Sequence, residues 1–494
     1  MLPEQLLLFV FAYFGLLLGV AWVTSRNANN DSFFIGNHRS NWMLVSFGMV
    51  GTSLSGVTFI SVPGAVGIDG FGYFQVVLGY VLGYLVIAFV LLPLYYRHQL
   101  TSIYRYLDTR LGSGAYRTGA GFFILSRTLG ATARLYLVVR ILQDVILDGF
   151  DVPFWLTALV ILLMILLYTY EGGVKTIVWT DTLQTACMLL GLVICVIYIL
   201  DALNLSLGDS LQQMQQRGLA TVVSTDLNSR QFFLKQVLAG MFIAIAMTGM
   251  DQEMMQKTIS VKTLVDSQKN IIVLSVIIMA VILLFLFLGG LLHLYAPVVG
   301  VAETGDRIFP AVVLGHLPDV VQMIFIIALI SALFPSADGA ITALTASFCI
   351  DILKFKQRDD IGEADKKRLR HRVHLGFALL FLVLVLLFRW ADNPSMIGVI
   401  LKLAGYTYGP LLGLFAFGIL TRRQLRDAGV PWIAVLAPLI CYCLDVYQHE
   451  LFGAYEIGLE LLLINGLLTF IGLWAISRAD DAAIANARAA ALLP

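Results

Sequence analysis

Runs of about 20 apolar residues follow one another along the whole chain, separated by short polar gaps. Hydropathy divides them into about 13 helical spans. They lie at 5–24, 42–68, 72–96, 116–146, 153–170, 176–202, 232–257, 270–296, 318–352, 373–391, 396–420, 431–447 and 457–477. The pattern predicts an all-α polytopic membrane protein, read as one membrane domain over 1–494. The first run, Gln5 to Thr24, is long enough to span a bilayer. Its front end carries no positive charge and no small-residue cleavage pattern follows, so a retained helix is expected rather than a signal peptide.

Composition agrees, with 59% hydrophobic and 13% charged residues in 494. A net charge of +0 and the lack of a basic tract leave no case for a nucleic-acid partner. Cys187, Cys195, Cys349, Cys441 and Cys443 lie in or beside apolar spans and are expected to be free thiols. The seven His are scattered, and neither an H-E-x-x-H motif nor a Ser/Lys pair is present, which argues against an enzyme.

Charge sets the expected orientation. With the N-terminus outside, the inward gaps hold Arg26 and Arg39; Arg97, Arg105, Arg110 and Arg117; Lys257, Lys262 and Lys269; and Arg422, Arg423 and Arg426. The segment KFKQRDDIGEADKKRLRHR, 354–372, is the richest, whereas the outward gaps LDGFD and ADNPS hold no Lys or Arg. This positive-inside bias predicts a cytoplasmic-membrane protein with its tail, 478–494, in the cytoplasm. Arg127, Arg134, Arg140, Arg389 and Lys402 fall within spans; Arg127 and Arg134 share a helix face.

Four polar pieces interrupt the apolar pattern. GTSLSGVTFISVPGAV, Gly51 to Val66, carries three Gly, three Ser, two Thr and Pro63. Such a segment is expected to unwind near Gly51–Gly56. In hydrocarbon, unwound backbone persists only where it is covered by protein or lines a cavity. Its carbonyls then suit a hard cation, with Ser53, Ser55 and Thr58 nearby; the alternative is a Gly/Ser face for close helix packing. SALFPSADGAITALTASFCIDIL, from Ser331, places Pro335, Ser336, Asp338, Gly339 and Thr342 on adjacent turns. An acid within a span is a functional candidate, or else the structural partner of an intramembrane Arg. TGMDQEMMQK brings Asp251, Gln252 and Glu253 to a helix end, functional or merely solvated. IVWTDTLQT places Asp181 just inside a span.

In this order and spacing the four pieces resemble the sodium:solute symporter family over nearly the whole chain. The most specific parts are GTSLSGVTFISVPGAV, EGGVKTIVWTD and SADGAITALTASFCID. The resemblance implies a LeuT-like fold of two inverted five-helix repeats, with an extra helix at 5–24 and two C-terminal helices over 431–477. The repeats would cover 42–202 and 232–420, with broken first helices at Gly51–Gly56 and around Ala246–Asp251. It implies a sodium site formed by the carbonyls of Gly51, Leu54 and Ala332 and the hydroxyl of Ser336. Pro335 stands where the family usually has a hydroxyl residue. A second cation or proton site would involve Asp181, with Asp338 and Gly339 where the family places hydroxyls.

For the solute, the resemblance points to Ser55, Thr58 and Arg134. The family's pocket Gln falls on Gly79, with Gln75 one turn away, and Ala244 and Met247 stand where sugar carriers have Asn and a gating Tyr. Arg134 favours a carboxylate, which a guanidinium binds bidentately. The expectation is a sodium-coupled importer of a small organic solute working in a lipid bilayer, with Na+ as coupling ion and no oligomer required. Two rivals are proton coupling through Asp338 and a transporter-like sensor, which would be expected to carry an added signalling domain.

Overall fold

The computed structural model describes residues 3–24, 40–169, 173–357, 360, 362–391 and 396–478. Arg26, Arg39, the ADNPS gap after Ala391 and the tail beyond Arg478 lie outside the described residues, as do parts of EGGVKTIVWTD and of the basic 354–372 segment. The architecture is helical, with one small antiparallel pairing of Gln424–Leu425 against Ser477–Arg478. Among the described residues, eight helices are long and apolar enough to cross a membrane unbroken, and three bent helix pairs have the length and composition of broken spans or re-entrant loops. Two shorter apolar helices, Phe154–Thr169 and Leu461–Ile476, fall where spans are expected at 153–170 and 457–477.

The helices that build the site are, in chain order, α1 (Trp42–Ser53), α2 (Gly56–Asp69), α3 (Tyr73–Val86), α4 (Ser113–Leu142), α5 (Phe154–Thr169), α6 (Gly173–Leu203), α7 (Phe233–Ala244), α8 (Gln252–Ile259), α9 (Asp319–Ser347), α10 (Met396–Thr407) and α11 (Gly409–Leu420). α1 and α2 meet at 56°, and the break falls at Leu54–Ser55, inside the expected window. Ser55 is extended (φ −64°, ψ 173°), which stops one helix and starts the next. The second bend, 65°, lies at Met250–Asp251, after a π-helical turn at Ile245–Gly249. A third, 44°, lies at Tyr408, between α10 and α11.

Pro335 does not break α9, which runs on from Asp319 to Ser347. A proline removes one backbone bond, and packing holds the helix together around that loss. Pro335 Cγ lies 3.6 Å from where a Cβ on Gly51 would be, and Leu333 Cα lies 3.8 Å from that of Gly56. The first break therefore rests against the middle of α9, while the missing side chains at Gly51 and Gly56 make room for Thr185 of α6 and Val138 of α4, which a Cβ would strike.

Candidate functional site

At the first break the helical ladder stops with the Leu54 N–H donating to the Val50 carbonyl, at 2.7 Å. It restarts with Phe59 N–H to the Ser55 carbonyl, at 3.1 Å. The carbonyls of Gly51, Thr52, Ser53 and Leu54 thus fall between two ladders, and among the described residues no side chain donates to them. Buried carbonyls without partners are costly and call for a ligand. Across from them, Pro335 leaves the Ser331 carbonyl without its i+4 N–H. The Ser336 hydroxyl donates to the Leu333 carbonyl at 2.9 Å, so its oxygen lone pairs remain available to an electrophile.

The second break is satisfied differently. Tyr95 donates to the Gly249 carbonyl at 2.7 Å, and Tyr104 to that of Met250 at 2.8 Å. Asp251 caps α8, accepting from Glu253 N–H at 2.9 Å and Met254 N–H at 3.3 Å. Its other oxygen accepts from Tyr408, at the third bend, at 2.7 Å. Asp251, Gln252 and Glu253 are at most 1% exposed, which overturns the solvated-end alternative.

Arg127 pairs with Glu253 and lies 3.7 Å from Asp251. Lys257, counted in the sequence as an inward loop charge, is instead buried at 2% exposure. Its ammonium donates to Asp181 at 2.7 Å and to Thr52, in the first break, at 2.8 Å, and lies 3.4 Å from Glu253. One polar network therefore ties all three bends together. The sequence reading missed Lys257, Thr52, Tyr168 and Tyr408; the i,i+4 spacing of Glu253 and Lys257 was the available clue.

Of the expected second-site residues, Asp181 and Gly339 both meet this network. A Cβ on Gly339 would strike Glu253 and come 3.1 Å from the Lys257 ammonium. Asp338 accepts from the Tyr168 hydroxyl at 2.8 Å, and among the described residues no salt bridge reaches it. The alternative of Asp338 paired with an intramembrane Arg therefore fails in this structure.

Beside the first break lies a cavity whose lining includes Ser55, Thr58, Tyr73, Tyr80, Arg127, Arg134 and Met247. Arg134 forms no ion pair among the described residues, unlike Arg127 seven positions earlier. Gln75 and Gly79, expected to contact solute, do not line this cavity. Gln75 is fully buried and bonds Gly72 and Gln231 carbonyls, both at 3.3 Å. Gly79 faces α7, where a Cβ would strike the Val237 carbonyl and come 2.7 Å from Met241 N. Close packing of α3 on α7 has turned that helix face away from the cavity.

A solved structure of a Na+-coupled sialic acid symporter, described as substrate-bound and outward-open, superposes with a TM-score of 0.82 at 16% identity, covering 96% of this chain and 98% of the other. Mhp1, a nucleobase-cation-symport-1 family transporter, gives 0.57 at 14% identity over 91% and 95%. The shared fold is the LeuT-like one. By sequence, the chain is 22% identical over 482 residues to the sodium/sialic acid symporter NanT of Aliivibrio fischeri, covering 93% of this chain and 92% of NanT. It is 26% identical over 402 residues to the rabbit (Oryctolagus cuniculus) sodium-dependent multivitamin transporter, covering 78% of this chain but spanning only 61% of that relative. These relatives are transporters, not enzymes. The family's sequence pattern matches residues 33–429, and with the broken helices and their polar network in place, the chain belongs to the sodium:solute symporter family.

Proposed function

We propose that this protein is a sodium-coupled symporter that imports a small carboxylate-bearing solute by alternating access across the cytoplasmic membrane. The observation that carries the sodium half is the asymmetry of the breaks. Two carbonyls of the second break are occupied by tyrosines, whereas those of Gly51–Leu54 have no donor among the described residues. A hard monovalent cation suits such neutral oxygens, with Ser336 and the carbonyl of Ala332 completing the cage across from them. NanT and the multivitamin transporter, both sodium-coupled, support the same coupling ion.

The carboxylate half rests on Arg134. A guanidinium on the cavity wall without an ion-pair partner is costly within a membrane, and a solute carboxylate would complete it. Ser55, Thr58 and Met247 would frame the rest of the solute. Coupling then follows because cation and solute stabilise the same conformation from adjoining surfaces of the first break. In this reading the repeats are 42–202 and 232–420, each opening with a broken helix, and the N-terminus faces outward.

The test is uptake into proteoliposomes under an imposed sodium gradient, with a panel of carboxylates, amino acids and neutral sugars preselected by thermal shift. Sodium-driven accumulation of a carboxylate is expected. Accumulation of neutral sugars alone would refute the solute class. One observation favours a second reading, proton coupling: buried Asp338 has a neutral hydroxyl partner, Tyr168, rather than a cation.

A further inference from the structure

The ammonium of Lys257 occupies a shell of oxygens that resembles a cation site. It lies 2.7 Å from Asp181 Oδ2, 2.8 Å from Thr52 Oγ1 and 3.4 Å from Glu253 Oε1. Those ligands come from three elements: α6, the end of α1 and α8 itself. Gly339 supplies the room, because a Cβ there would come 3.1 Å from the nitrogen. Asp181 is fully buried and its second oxygen, Oδ1, has no hydrogen-bond partner. A carboxylate so placed, inside a membrane, requires a positive charge beside it.

We infer that Lys257 is a tethered cation filling a second cation site at Asp181, so that this site takes no transported ion while Lys257 is present. The inference deepens the sodium reading and rests on it. An ammonium has three donors and here meets three oxygens, whereas a free sodium ion in the same shell would add one cargo ion per cycle. The charge also stays with the protein during the cycle. Since Thr52 belongs to the first break and Lys257 to the helix after the second, the ammonium joins the two broken helices without leaving. Lys257→Met removes the charge and keeps most of the apolar stem. It would leave Asp181 and Thr52 as an anionic oxygen shell open to a small cation.

The test counts sodium ions bound to the purified full chain in detergent, using radioactive sodium alone as the probe. Lys257→Met is expected to bind one ion more than the wild type, with the gain abolished by Asp181→Asn in the same chain. An unchanged count in Lys257→Met overturns the inference. Should that variant fail to fold, Asp181→Asn with Lys257 intact decides: the count is expected to stay at the wild-type value, and a loss of one ion means that Asp181 itself holds sodium. The two readings fail separately. A wild type that binds no sodium refutes the sodium site at the first break, whereas the difference between variant and wild type reports on Lys257 alone.

Discussion

Arg127 and Arg134 show how two identical side chains on one helix face can have opposite fates. Both line the cavity, but Arg127 is 4% exposed and neutralised by Glu253 and Asp251, whereas Arg134 has no ion-pair partner among the described residues. Arg127→Ala should therefore destabilise the fold by about 3–5 kcal/mol, since it strands buried carboxylates; thermal unfolding in detergent reads this directly. Arg134→Ala should leave unfolding nearly unchanged and abolish binding of an anionic solute. Arg134→Lys should recover little, because a point charge lacks the planar fork. Full solute affinity in Arg134→Ala would make it a structural residue. Ser336→Ala should raise the sodium concentration for half-maximal uptake by roughly tenfold, the loss of one oxygen ligand to a charge. A sodium dependence identical to wild type would remove Ser336 from the site. The polar residue types of both helices were legible in the sequence. Which arginine is spoken for was not, because Glu253 lies 126 positions away from Arg127.

At the scale of elements, the breaks were foreseeable and the helix faces less so. Local chemistry decides a break: glycines weaken the α1–α2 junction, and in the Ser-rich stretch between Gly51 and Gly56 Leu54 is the single strong helix former. The face that α3 turns toward the cavity depends on its partner α7, which no local signal specifies. Gly79 and Gly240 let the two backbones approach so closely that a Cβ on either would strike the other helix. Gly79→Ala should accordingly cost about 1–3 kcal/mol through overpacking, without changing solute affinity. Gln75→Leu should likewise lower stability, by about 1–3 kcal/mol for the backbone groups left unpaired. Paired melting curves and solute titrations test both; a selective loss of solute affinity would return these residues to the pocket wall. The α8 end misled for a related reason. Polar residues at a helix end usually meet water, but here α9 and the third bend cover them.

For the whole molecule, the test of coupling falls on Asp338. Under the sodium reading, uptake collapses without sodium at every pH, and Asp338→Asn raises the sodium requirement. Under proton coupling, wild-type uptake runs on a pH gradient in sodium-free buffer and Asp338→Asn loses it. Tyr168→Phe removes the hydroxyl bonded to Asp338 and should shift whichever dependence is real. An Asn variant unchanged in both respects leaves Asp338 a structural residue. Sodium remains the expected outcome, because the carbonyls of Gly51–Leu54 otherwise have nothing to hold.

The sequence by itself determined the membrane class, the polytopic helical fold and the position of the first break. Each follows from local properties: apolar length sets a span, and glycine and serine content weakens a helix. The carbonyls of Gly51–Leu54 and the Ser336 hydroxyl, the proposed sodium ligands, were named from their motifs. Only the tertiary structure decided which charges are paired, which face of α3 is covered, and that Lys257 lies inside the protein rather than in a loop. Those outcomes depend on contacts between residues far apart in the chain, such as Lys257 with Thr52 and Asp181. A buried charge must find its counter-charge wherever packing brings one, and hydropathy along the chain carries no record of that meeting.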